Sequence, residues 1–160
     1  MIPNDTMRKK RSNTKLNIQI TYCVKKKDIS SQAVKKLVNT ICEKFGLSEA
    51  NIGIVVIADS QIKKLNAKFL GHNKITDCLS FDLSGDSCVK SFEIIINNAL
   101  AAREALRRGH CVKAELALYI THGLLHQLGF DDQKPGDAKK MHKAEDEILQ
   151  KLGYNSVYQR

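Results

Sequence analysis

The sequence predicts an α+β fold, a small mixed sheet of four strands with helices packed on it. Two observations carry this. Apolar, β-branched runs and amphipathic stretches follow one another as strand, helix, strand, helix, strand, strand, and then three helices in a row. The strict strand–helix alternation of a doubly wound parallel sheet is therefore broken midway. The 160 residues, 42% of them hydrophobic, suit one domain able to bury its own core.

Residues 16–24 (LNIQITYCV) are rich in β-branched residues and read as a strand. Ser30 or Ser31 caps a helix running to Phe45, with Val34, Leu37, Val38, Ile41 and Phe45 at helical spacing. The run at 52–58 (IGIVVIA) reads as a strand buried on both faces. Asp59 or Ser60 caps a helix to Phe69, and a polar loop through Gly71, His72, Asn73 and Lys74 follows. Strands at 76–83 and 92–97 flank a turn at Gly85, Asp86 and Ser87. The rest reads as helix at 99–108, 112–128 and 137–152, punctuated by Gly109 and Gly129 and ended by Gly153.

Charge is unevenly spread. The formal net charge is +9, but eight basic residues fall in residues 1–27 against Asp5 alone, so +7 of it is local. Residues 1–14 read as a flexible basic arm ahead of a single domain at 15–160. Such an arm binds phosphates of nucleic acid or ribosome, or is a solvated terminus that aids solubility; both readings stand. No stretch approaches the roughly 18–20 apolar residues that span a bilayer, and no signal-peptide core is present, so a cytoplasmic protein is expected. Cys23, Cys42, Cys78, Cys88 and Cys111 are odd in number and form no C-x-x-C pair. They are expected to be reduced and mostly buried.

The chemistry concentrates in THGLLHQLGFDDQ, Thr121 to Gln133. His122 and His126, four residues apart, lie about 40° apart on one helix face, one turn above the other. Gly129 can adopt the left-handed conformation that stops the helix and turns the chain back. Asp132 then completes a tripod in the pattern H-x-x-x-H-x-x-G-x-x-D, a metzincin spacing. The helix is otherwise mostly apolar, through Val112, Leu116, Leu118, Ile120, Leu124, Leu125 and Leu128. Buried imidazoles need polar partners, and a divalent metal supplies them. Three protein ligands leave a position open for a metal-bound water, the expected catalytic group. Metalloproteases carry a glutamate after the first histidine, where this chain has Gly123, which argues against a peptidase.

HGLLHQLGFDD resembles the H-G-x-L-H-x-x-G-Y-D-H signature of the YbeY family of ribosomal RNA maturation factors. LNAKFLGHNKITDCLSF (residues 65–81) resembles that family's L-N-x-x-[YF]-R-G-x-x-x-x-T-[DN]-V-L-S-F segment. FEIIINNALAAREA (residues 92–105) and the last helix, with Met141, Glu145 and Ile148, fit as well. The resemblance spans residues 52–153. It implies an α+β domain with a zincin-like metal helix and a metal-dependent, single-strand-specific endoribonuclease. The implied role is 16S ribosomal RNA 3′-end maturation and ribosome quality control, with ribosomal RNA and the small subunit as partners. His122 and His126 fall on the first two ligands, and Asp132 falls where the family has a third histidine. Two histidines and a carboxylate suit zinc, the expected ion, and also harder divalent metals. Leu70 stands where the family has arginine, and Phe92 where it has glycine. Asp131 is the rival third ligand; it matches the family's own aspartate and is expected to support rather than bind.

Arg103 and Arg107, one turn apart, are candidates for RNA binding, and Arg108 and Lys113 lie close in sequence. His72, His110 and His142 are expected at the surface. Thr76 and Ser80 are expected to satisfy backbone groups. Two other functions remain open: a ribosome-assembly RNA-binding factor with little or no catalysis, and a metallohydrolase of another substrate.

Overall fold

The computed structural model describes residues 13–155, so most of the arm at 1–14 lies outside the described residues. The elements are β1 (Lys15–Tyr22), α1 (Ser31–Lys44), β2 (Glu49–Ile57), α2 (Asp59–Leu70), β3 (Cys78–Asp82), β4 (Lys90–Asn97), α3 (Asn98–Arg108), α4 (Val112–Gln127) and α5 (Pro135–Lys151). The sheet order is β1-β2-β4-β3. β1–β2 and β2–β4 are parallel, joined through helical crossovers, whereas β3 and β4 form an antiparallel pair at the far edge. The expected four-stranded mixed sheet with packed helices is what forms.

One face of the sheet carries the main core. There Ile52, Ile54, Val56, Ile94 and Ile96 meet Leu37, Val38 and Ile41 of α1 and Leu116, Ile120 and Leu124 of α4. The other face holds a smaller cluster of Ile57, Ile62, Leu79 and Ile95, closed by α2. β2 is therefore not buried evenly on both faces: Ile52, Ile54 and Val56 are buried while Gly53 and Val55 between them are half-covered. A single short helix does not shield the second face as fully as two helices shield the first.

α4 is the central helix, with eleven of its sixteen residues buried. It crosses β4 so closely that a Cβ at Gly123 would lie 2.7 Å from Ile94 Cγ2. The position after the first histidine thus faces the sheet and has no room for any side chain, let alone the glutamate of a peptidase. α4 ends as the glycine foretold. Gly129 has φ +97°. Its N–H donates to His126 O and the next N–H, of Phe130, donates to Leu125 O at 3.0 Å, the two bonds of a Schellman motif. Phe130 then packs edge-on against Phe45, ring centroids 5.4 Å apart, which anchors the returning chain.

The cysteines depart from expectation. All five are free, but Cys23, Cys88 and Cys111 are exposed and only Cys42 is fully buried. The exposed three sit outside the strands and helix interiors, Cys111 as the residue capping α4.

The close crossing at Gly123 yields a stability prediction. Gly123→Ala gains helix propensity but overpacks against Ile94, so the net effect is a loss of about 1–3 kcal/mol. Thermal melts check this, since each kcal/mol lowers Tm by roughly 2–4 °C at this size. An unchanged or raised Tm would contradict the close crossing.

Candidate metal centre

α4 delivers His122 and His126 from its last two turns, and the Gly129 turn brings Asp132 round to meet them. The rings stand edge to face with centroids 4.6 Å apart. His122 Nε2 and His126 Nε2 are 3.1 Å apart. Asp132 Oδ2 lies 3.5 Å from the first and Oδ1 3.7 Å from the second. Among the described residues, this trio is the group of His, Cys, Asp and Glu side chains able to share one ion. Asp131 is turned elsewhere: its Oδ1 accepts the backbone N–H groups of Asp132 and Gln133 and so shapes the loop.

Proton positions follow from the partners. His122 Nδ1 is 2.6 Å from the fully buried carboxylate of Glu145, on α5. His126 Nδ1 is 3.1 Å from the carbonyl of Phe130. Both partners only accept, so both Nδ1 atoms carry the proton and both Nε2 atoms present lone pairs. Two lone pairs at 3.1 Å beside a carboxylate repel one another unless a cation or proton lies between them. For zinc bonds of roughly 2.0–2.1 Å the edges of a tetrahedron are about 3.3–3.4 Å. The three observed separations bracket that length, so the donor set fits a small divalent ion.

The electrostatics agree. Burial pulls the His122 pKa down, but the Glu145 hydrogen bond and the charges of Glu145, Asp77 and Asp132 outweigh it, and the value rises above the ordinary 6.5. Burial, followed by the charges of Asp77, Glu145 and Asp132, pushes the neighbouring Cys78 thiol up and keeps it neutral. Gln127 Nε2 donates to Ser80 Oγ at 2.8 Å, tying the end of α4 to the edge strand β3.

A family model described as Endoribonuclease YbeY matches residues 17–153. The chain belongs to the YbeY family. Proteins named Endoribonuclease YbeY are similar to it over much of its length. One from Polynucleobacter asymbioticus is 34% identical over 153 residues, 92% of this chain and 96% of that relative. One from Desulforamulus reducens is 35% identical over 131 residues, 76% of this chain and 86% of the relative. One from an Anaeromyxobacter species is 38% identical, but the match spans only 58% of that longer relative and 68% of this chain. A Thermotoga maritima protein solved in solution shares the fold, with a TM-score of 0.59 at 22% identity over 89% of this chain and 96% of that one.

Against the YbeY pattern, the departures take physical form. Asp132 reaches the histidine pair with carboxylate oxygens in place of an imidazole. Leu70 is 53% exposed at the end of α2 and offers no charge. Phe92 is buried in β4, paired with Ile52.

The structure does not bring the arginine candidates to the trio as free cations. Arg103 makes a two-pronged ion pair with Asp59 at 2.6 and 3.0 Å. Arg107 pairs with Glu104 at 2.7 Å. Arg108 shares a cleft wall with His122, but its guanidinium is paired with Glu104 and Glu115, both at 3.2 Å. Lys113 sits over the Tyr154 ring. His72 is exposed, as expected, its Nδ1 taking the Lys74 N–H. His110 and His142, expected at the surface, are half-buried, and His110 is bonded to the buried Glu115 carboxylate. Thr76 and Ser80 bond side chains, not backbone groups: Thr76 donates to Asp77 and Ser80 accepts from Gln127.

Sequence reasoning missed the role of Glu145. Its signal was present, as a glutamate on the apolar stripe of α5 between Met141 and Ile148. A carboxylate at a core-facing position needs a partner.

The Glu145 bond generates a titration prediction. In metal-free protein His122 titrates above 6.5, and Glu145→Gln lowers that value, as NMR of the imidazole protons will read. A raised folded value means that protonation favours the folded state. The His122 contribution to stability is thus full below about pH 6.5 and lost as pH rises through the folded value. A His122 value at or below 6.5 would contradict the assignment.

Proposed function

We propose that this YbeY-family chain is a metal-dependent endoribonuclease that cuts single-stranded RNA, with the 3′ end of 16S ribosomal RNA on the small subunit as its natural substrate. One divalent ion, zinc, is held by His122, His126 and Asp132. The observation that carries this reading is the convergence of two lone-pair Nε2 atoms and a carboxylate on one point, in a chain whose relatives are named endoribonucleases.

A cation in that seat supplies Lewis acidity toward a phosphate oxygen and toward water. The chain's own residues do the rest. Glu145 holds the proton on His122 Nδ1, and the Phe130 carbonyl holds that on His126, so neither ring can turn away. Asp132 adds the one formal negative charge among the three donors, so a divalent ion is not neutralised by its own ligands and can still attract an anionic phosphodiester. The basic arm at 1–14 adds a phosphate contact to a single domain at 15–160 and steers RNA toward the centre.

The exposed Leu70, where the family segment has arginine, favours a second reading: an RNA-binding assembly factor of the ribosome with little catalysis. A peptidase with a glutamate base finds no support, because position 123 lacks space for the side chain.

Cleavage of labelled RNA separates these readings. The zinc-loaded protein is expected to cut a single strand and leave a duplex of the same sequence intact. Chelator and His122→Ala each reduce cutting to the no-protein background. Equal activity in wild type and His122→Ala would overturn the metal-centred nuclease. An inert wild type that still binds the RNA would establish the assembly-factor reading.

A further inference from the structure

His122 also lines an open cleft of about 370 Å³. That volume falls at the small end of ligand pockets, roughly 300–1,000 Å³. Its walls combine the apolar Ile75, Leu100 and Tyr119 with Asp77 and Arg108. Loop residues, α3 and α4 build it together. The loop is held by buried side chains: Asn66 Nδ2 donates to Lys74 O at 2.6 Å, and Asn97 Nδ2 to Thr76 O at 3.2 Å.

The charges in the cleft say what it does not take. The Arg108 guanidinium is spent on Glu104 and on the buried Glu115, both at 3.2 Å. Asp77 and Glu104 both line the cleft as carboxylates. A phosphate finds no free guanidinium there, and the Asp77 carboxylate repels it, whereas Glu104 is neutralised by Arg107 and Arg108. A flat, neutral group with apolar faces and a hydrogen-bond donor on its edge suits the walls. Asp77 Oδ1 is occupied by the Cys78 N–H at 2.7 Å and the Thr76 hydroxyl at 3.3 Å, which fixes the carboxylate in place. Arg108 Nε, on the same wall, is buried without a hydrogen-bond partner among the described residues.

We propose that this cleft takes the base of the nucleotide flanking the scissile phosphate, and that Asp77 selects bases bearing an exocyclic amino group over uracil. The inference rests on the nuclease reading only in placing the base beside a scissile phosphate; the cleft's preference for a base stands or falls separately. Cytosine and uracil are nearly equal in shape and differ at this edge, where N4–H₂ donates and O4 only accepts. A carboxylate facing that position accepts from the N4 amino group and repels O4.

The test is binding of cytidine and uridine monophosphates to the zinc-loaded protein, followed by amide chemical shifts. The expected result is perturbation of residues 75–77 and 118–119, with CMP about tenfold tighter than UMP, the ratio one charge-assisted hydrogen bond supports. Asp77→Asn keeps an oxygen for the Cys78 N–H and presents an amide donor to the cleft, so it should equalise the two nucleotides or favour UMP. Ile75→Trp, at a half-exposed position, should fill the cleft and weaken both alike. A change in the CMP-to-UMP ratio is not something a merely structural role of Asp77 would produce. Equal binding of the two by wild type, an unchanged ratio in Asp77→Asn, or no perturbation of the cleft by either nucleotide would overturn the proposal. RNA cutting without a CMP preference would sink the cleft alone, and a CMP preference in a protein that never cuts RNA would sink only the nuclease reading.

Discussion

Two imidazoles on one helix face are held with their Nε2 lone pairs 3.1 Å apart, and the rest of the structure around them is arranged to keep them so. Left alone, either ring would turn or take a second proton to relieve the repulsion. Glu145 and the Phe130 carbonyl prevent the turning by holding the Nδ1 protons, and Asp132 supplies the counter-charge. The strain is relieved by a cation, which is why the three donors read as a seat for one.

That constraint reaches into the core. Glu145 can sit fully buried only because α5 presses it against His122, and α5 rests on α4 through Met141, Ile148 and Leu149. α4 in turn lies on the sheet at van der Waals distance, through the missing side chain of Gly123. The Phe130 carbonyl is placed by the Schellman turn at Gly129 and by the Phe45 ring beneath it. Packing and chemistry are thus the same contacts seen from two sides. Losing a methyl-sized fit in the core would shift a donor atom.

Much of this was legible in the sequence because it is local. The spacing of His122, His126, Gly129 and Asp132 is a property of one helix and one turn. The apolar surroundings of those histidines announced that they needed partners. The strand and helix order, and the α+β class, followed from periodicity. What was hidden involves pairs far apart in the chain. Glu145 is 23 residues from His122, and Arg103 is 44 residues from the Asp59 that occupies it. A guanidinium looks free in a sequence until the carboxylate that claims it is placed. For the same reason Ser80 gave no hint of Gln127, and the cleft, built from a loop and two helices, has no linear signature. The uneven burial of β2 depends on how many helices cover each face, which the run IGIVVIA does not encode.

The metal seat depends on which histidine nitrogens carry protons, and nitrogen-15 NMR of the side chains reads that directly. In metal-free protein held above the His122 pKa, both rings should show the Nδ1–H tautomer. One equivalent of zinc should then shift both Nε2 resonances while the Nδ1 protons stay in place. Rings found as Nε2–H tautomers, or Nε2 resonances untouched by zinc, would contradict the account at its root.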